Sequence, residues 1–124
     1  MNGVEFLLDT NVVIGLLKGY EAATSIAESS GLDLTEAAIS QITRMELLSF
    51  NALSEREESE IQAFIGCCRL LMLDEAVEAQ AIRLRRQGLL KLPDAIVAAT
   101  AMVHDLKLLT LDQRLSASLR SQPG

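Results

Sequence analysis

A chain of 124 residues, 49% hydrophobic but only 3% aromatic, is long enough to bury a core as one domain over 1–124 and must build it from Leu, Ile, Val, Ala and Met. Its formal net charge of −6 repels polyanions at long range, which argues against a general nucleic-acid-binding protein but not against an enzyme that recruits cations to its substrate. No apolar run reaches the roughly 20 residues of a membrane span and no basic stretch precedes a hydrophobic N-terminal segment, so a cytoplasmic protein with no membrane partner is expected.

Val4-Glu5-Phe6-Leu7-Leu8 reads as a buried strand ending at Asp9, and Asp9-Thr10-Asn11 falls where a helix is capped. Val12 to Lys18 predicts a short helix closed by Gly19, with Val13, Ile14, Leu16 and Leu17 turned inward, and Glu21 to Ser29 predicts a second closed by Gly31. Ala37 to Ser40 is a candidate second strand. From Gln41 the spacing of Ile42, Met45, Leu47 and Leu48 suits a helix that carries Glu46 in its first turns. Ser54-Glu55-Arg56-Glu57 has the form of a capping box and opens a helix running to about Gly66. Arg69 to Leu73 reads as a third strand, and Glu75 to Gln87 as a charged amphipathic helix ended by Gly88. Pro93 at a first helical position opens a helix from Asp94 to His104, whose Ala and β-branched residues imply tight packing. Lys107 to Thr110 is the fourth strand, Leu111 to Leu115 turns into a last helix, and Ser121 to Gly124 is expected to fray.

Strands separated by helices imply right-handed crossovers and a parallel sheet covered on both faces. The fold class is therefore α/β, a three-layer α/β/α sandwich with a central parallel sheet of four or five strands. Ligand sites of such sheets lie beyond the carboxyl ends of the strands, a rule that selects Asp9, Asp74 and Asp112, while Glu46 and Asp94 lie on helices able to face the same edge. Adjacent Cys67 and Cys68 are read as small buried hydrophobes rather than a disulfide or a zinc site. His104, the sole histidine, ends an apolar helix and is read as structural, so nucleophilic chemistry built on a Ser-His-Asp arrangement is not expected.

Carboxylates about 4 Å apart repel by roughly 1 kcal/mol in water and about 4 kcal/mol at an effective dielectric of 20. A cluster of them is therefore costly without a cation. Hard divalent ions prefer oxygen ligands, acidify bound water and neutralise a phosphodiester, so hydrolysis needs no histidine. Helix capping alone would account for an acid at Asp9 or Asp94. It would not account for Glu46 on an otherwise apolar face, where an unpaired carboxylate is costly.

Four segments carry a resemblance. Leu7-Leu8-Asp9-Thr10-Asn11-Val12-Val13-Ile14 resembles the opening motif of the PIN domain, and Thr43-Arg44-Met45-Glu46-Leu47-Leu48, Leu92-Pro93-Asp94-Ala95-Ile96-Val97-Ala98-Ala99 and Leu108-Leu109-Thr110-Leu111-Asp112 resemble its later ones, in the family's order. A short stand-alone chain of this kind is similar to the VapC type, the toxin half of bacterial toxin-antitoxin pairs. The resemblance implies an endoribonuclease using Mg²⁺ or Mn²⁺, with Asp9, Glu46 and Asp94 as principal metal-binding acids and Asp112 at the more variable fourth position. It makes Thr10, Asn11 and Thr110 accessory polar residues, of which Thr10 and Asn11 would cap the helix and steady Asp9. It also implies an RNA substrate, a homodimer and a protein antitoxin that fills the groove. The chain departs from the family's commonest closing motif, an acid followed by Phe, by reading Arg114-Leu115-Ser116. It also stops where many members add a fifth strand.

Arg44, Arg86 and Lys91 are candidate contacts to an RNA backbone, although Arg83, Arg85 and Arg86 also read as the solvated side of an amphipathic helix. Glu55, Glu57, Glu58 and Glu60 read as a solvated acidic face. The aliphatic surface of Ile14, Leu16, Leu17 and Ile26 exceeds what a small sheet covers and leaves area for a partner. Two rival readings share the architecture: a Mg²⁺-binding receiver-like regulatory module, whose acceptor and lysine Asp74 and Lys107 loosely imitate, and a non-catalytic PIN-like binding module.

Overall fold

Four strands of three or four residues make the sheet: β1 (Phe6–Leu8), β2 (Ala37–Ser40), β3 (Arg69–Leu71) and β4 (Lys107–Leu109). The computed structural model describes residues 3–120 and Gln122, so Ser121, Pro123 and Gly124 of the stretch read as frayed lie outside the described residues. All pairings are parallel, in the order β3-β2-β1-β4, with Phe6 opposite both Ala37 and Lys107 and Ile39 opposite Leu70. Of the four or five strands read from the sequence, these four form the sheet.

Period-two alternation decides which side chain goes to which face. Leu7 and Ala38 join a cluster with Val77, Leu84, Ala95, Ala98 and Leu115. Phe6, Leu8, Ala37, Ile39 and Leu109 join the opposite cluster with Val12, Val13, Leu47 and Ile61. Helices α1 (Thr10–Lys18), α3 (Gln41–Leu48) and α4 (Glu55–Cys67) thus cover one face, and α5 (Glu75–Arg86), α6 (Leu92–Val103) and α7 (Gln113–Arg120) the other. α2 (Glu21–Ser30) packs on α1. The result is the three-layer α/β/α sandwich expected from the sequence. No described helix is long and apolar enough to cross a membrane.

Helix ends follow local chemistry. Gly19 and Gly31 stop α1 and α2 in the left-handed conformation, and Ser54 with Glu57 forms the reciprocal capping box that opens α4. Several expectations are corrected. α1 begins at Thr10 rather than Val12 because Asp9 is its N-cap, accepting the Thr10 N–H at 2.8 Å, so neither Thr10 nor Asn11 caps it. β3 stops at Leu71, since the Leu73 N–H is taken by the side chain of Gln41 at 2.9 Å and cannot continue the ladder. A 3₁₀ turn at Leu34–Glu36, nucleated by Asp33 accepting from Thr35, precedes β2 and has no hydrophobic period to announce it. Met45 is 55% exposed rather than inward. Cys67, on the last turn of α4, is exposed, and Cys68 is partly buried, its thiol pushed up to about 11 by burial. Ile14, Leu16, Leu17 and Ile26 are each only partly covered.

The outer strands are short, and each opens on an exposed basic residue, Arg69 in β3 and Lys107 in β4. The chain steps from β1 through β2 to β3 and then crosses back to place β4 on the other side of β1, so the strand order reverses at β1 and a crevice opens beyond the carboxyl ends of β1 and β4.

α1 is held to α2 through Gly15, where a Cβ would come within 2.5 Å of the Ala23 Cβ. Helix propensity favours Ala over Gly by about 1 kcal/mol. Neither helix backbone yields easily, so overpacking wins: Gly15→Ala is expected to destabilise the chain by roughly 1–3 kcal/mol in thermal or urea unfolding, and Gly15→Ala with Ala23→Gly to recover most of the loss. A stabilised single variant would contradict this contact.

Candidate active site

Asp9 leaves β1 at the crevice, and its burial follows from the strand it ends. It is 6% exposed and its backbone N–H continues the ladder to Leu109 O at 3.0 Å. Oδ1 accepts the Thr10 N–H, and Oδ2 accepts the Thr110 hydroxyl at 2.7 Å and the Asn11 amide at 3.4 Å. Asn11 completes a bridge between β1 and β4 by accepting the Leu111 N–H at 3.0 Å with Oδ1. Thr110 in turn accepts the Asp112 N–H at 3.0 Å. Asp112 follows β4 and takes the N–H groups of Arg114 and Leu115 with Oδ1, at 2.9 and 3.2 Å, so it caps the start of α7.

Glu46 comes from α3, one turn after Thr43. Its Oε1 accepts the Thr10 hydroxyl at 2.6 Å. Thr10 therefore ties two acids at once, Asp9 through its backbone and Glu46 through its side chain. Asp94 sits in the first turn of α6, a helix with Pro in that turn and Lys91 as its N-cap. Asp9, Glu46, Asp94 and Asp112 line one open cleft of about 450 Å³ together with Thr10, Asn11, Ile14, Ser49 and Phe50.

Electrostatics shows the acids acting on one another. Burial raises the carboxyl of Asp9 above the ordinary aspartate range; the bonds from Thr110 and Thr10 pull it down, and the charges of Glu46 and Asp112 push it up. Asp94 is also raised, first by burial and then by Asp9, Asp112 and Glu46, with Lys91 opposing. All four acids of the cleft therefore share one field. Among the described residues, no three Asp, Glu, His or Cys side chains stand so as to hold a metal ion together as they are. Three of the four are engaged by donors of the protein itself: Thr10 holds Glu46, Thr110 and Thr10 hold Asp9, and Asp112 caps α7. The donor set is nevertheless all oxygen, with neither imidazole nor thiol lining the cleft, and that chemistry suits a hard divalent ion.

The other sequence candidates fall elsewhere. Asp74 caps α5 by accepting the Val77 N–H at 2.9 Å and lines no part of the cleft. Lys107 opens β4 at the amino end of the sheet and lines a separate pocket. Arg44 and Arg86 are exposed on α3 and α5, and Lys91 acts electrostatically on Asp94. His104 is the exposed C-cap of α6, at the opposite end of that helix from Asp94. Sequence reasoning missed Phe50, 43% exposed at the rim, and the buried hydroxyls of Ser40 and Thr43 behind Thr10. Phe50 stands alone between an apolar helix and a turn, and Ser40 is hidden in a strand signal; only its place before Thr43 gives the cap pattern away.

A folded-state pKa above the unfolded one means that the group's stabilisation is present below the unfolded pKa and is lost as pH rises through the folded one. In metal-free buffer Asp94→Asn is therefore expected to raise the melting temperature by a few degrees at about pH 7, with the gain fading toward about pH 4. Added Mg²⁺ or Mn²⁺ is expected to raise the melting temperature of the wild-type chain more than that of the variant. Identical melting of the two chains under all these conditions would show that the acids do not burden the fold.

Comparison with known proteins places these features in a wider set. The family model described as the PIN domain matches residues 6–118. No curated protein matches the chain. A toxin-antitoxin complex from Klebsiella pneumoniae is similar, at 31% identity over 88% of this chain and 88% of that one, with a TM-score of 0.75. DNA-bound VapBC from Salmonella typhimurium is 25% identical over 92% of this chain and 91% of that one, also at 0.75. FitAcB from Neisseria gonorrhoeae is 25% identical over 93% of each chain, at 0.71. The match begins with β1 and ends within α7, so every strand and all four acids of the cleft fall inside it, and the chain belongs to the PIN domain family.

Proposed function

We propose that residues 1–124 form one nuclease unit, a divalent-metal-dependent endoribonuclease that hydrolyses RNA phosphodiester bonds as the toxin of a toxin-antitoxin pair. The observation that carries this reading is the convergence of Asp9, Glu46, Asp94 and Asp112, drawn from four separate stretches of chain, on one cleft where burial, and then their neighbours' charge, raises Asp9 and Asp94. Asp9 and Asp94 would be the main ligands of Mg²⁺ or Mn²⁺, Glu46 a ligand or the group that orients the attacking water, and Asp112 an outer or second-site ligand. A bound ion of this kind would supply a more acidic water and neutralise phosphate charge.

The protein's own residues supply the rest. Thr10, Thr110 and Asn11 hold Asp9 and Glu46 in place, so the carboxylates meet an incoming ion from fixed positions. Lys91 beside Asp94, with Arg44 and Arg86 outside the cleft, would contact the RNA backbone and offset the chain's negative charge. The ring of Phe50 at the rim offers a base a stacking face, which suits an unpaired segment of RNA. The similarity to toxin-antitoxin complexes supports a protein antitoxin as partner, and a homodimer and a cytoplasmic site of action belong to the same proposal.

The receiver-like reading is disfavoured because Asp74 is committed to a helix cap and Lys107 lies at the other end of the sheet. A non-catalytic member of the family would bind RNA without cutting it. The purified chain is expected to cleave single-stranded or looped RNA in Mg²⁺ or Mn²⁺, to stop in EDTA, and to lose activity by about a hundredfold or more in Asp94→Asn. Asp74→Asn should leave cleavage unchanged. Full activity in Asp94→Asn, or in EDTA, would sink the assignment.

A further inference from the structure

Ser40 and Thr43 are buried hydroxyls, 1% and 0% exposed, to which the proposed chemistry gives no role. The carboxylate of Glu46 sets an order for their protons. A carboxylate only accepts, so the 2.6 Å contact to Glu46 takes the single hydroxyl proton of Thr10. Thr10 Oγ1 and Thr43 Oγ1 lie 3.4 Å apart, and with the Thr10 proton committed, the proton between them is that of Thr43. Thr43 Oγ1 accepts the Ser40 hydroxyl at 3.1 Å, and Ser40 Oγ accepts the Thr43 N–H at 3.2 Å. Among the described residues no buried side-chain oxygen or nitrogen is left without a partner.

We infer that Ser40, Thr43 and Thr10 form a one-way hydroxyl chain ending on Glu46, which fixes the carboxylate oxygen that Glu46 presents to a divalent cation. Ser40 and Thr43 are positioning residues, and the inference rests on the metal-dependent reading above. The 3.4 Å link between the threonines is long, so it orders rather than clamps. Polarised hydroxyls in a row strengthen one another, and the last is the bond that Glu46 feels. Because Thr10 also gives its N–H to Asp9, the chain sets the spacing of two acids as well as the orientation of one.

The test compares Thr43→Val, which keeps the shape without the hydroxyl, with Thr43→Ser, which keeps the hydroxyl. Two readouts are needed: Mn²⁺ affinity by titration calorimetry, and the Glu46 side-chain carboxyl ¹³C shift of the metal-free chain. Thr43→Val is expected to weaken Mn²⁺ binding by about tenfold and to move the Glu46 signal, while Thr43→Ser restores both. If Thr43→Val fails to fold, Ser40→Ala breaks the chain at its far end and should show the same changes, smaller in size. A folded Thr43→Val with an unmoved Glu46 signal overturns the hydroxyl chain. A wild-type chain that binds no Mn²⁺ overturns the metal-dependent reading and with it the role given to the chain, even if the Glu46 signal moves.

Discussion

Four carboxylates share one cleft, and every tether that holds three of them also has a structural job. Asp9 ends β1, caps α1 and receives Thr110 from β4. Asp112 opens α7. Glu46 is bound by the residue that begins α1. Like charges at one sheet edge repel by amounts comparable to a good hydrogen bond, so the fold must hold them there against their own field. Asp94 is the exception: among the described residues no hydrogen-bond donor holds its carboxylate, and Lys91 opposes its neighbours' charge.

This division explains why the parallel sheet matters to the site. β1 lies where the strand order reverses, and at that point two strand ends and the starts of α1, α6 and α7 converge on one crevice. The two apolar clusters keep the strands in register, and the register places Asp9 beside Thr110 and Asn11 within reach of Leu111. A slip of one residue would exchange the faces of β1 and carry Asp9 out of the cleft.

Much of this was legible in the sequence because each part has a local signature. Short apolar runs, Gly at helix ends and the Ser54–Glu57 box give the elements, and acids just after β1 and β4 follow from the rule for parallel sheets. Asp74 obeyed the same rule and misled, since an acid after a strand is equally a helix cap and only the third dimension separates the two. Phe50, Met45 and Cys67 also escaped. Their exposure depends on which neighbours cover a short helix, and no periodic pattern encodes that. The hydroxyls of Ser40 and Thr43 were invisible for a different reason: the link from Thr43 to Thr10 spans 33 positions and is set by the packing of α3 against α1.

The narrowness of the sheet has a consequence for crowded conditions. Each border strand offers a ladder three residues long, and Arg69 on one border and Lys107 on the other put exposed cations at the point where a foreign strand would begin to pair. A foreign strand pairing at either border would gain very few backbone bonds and would have to settle beside an exposed cation, a combination that disfavours edge-to-edge joining of sheets.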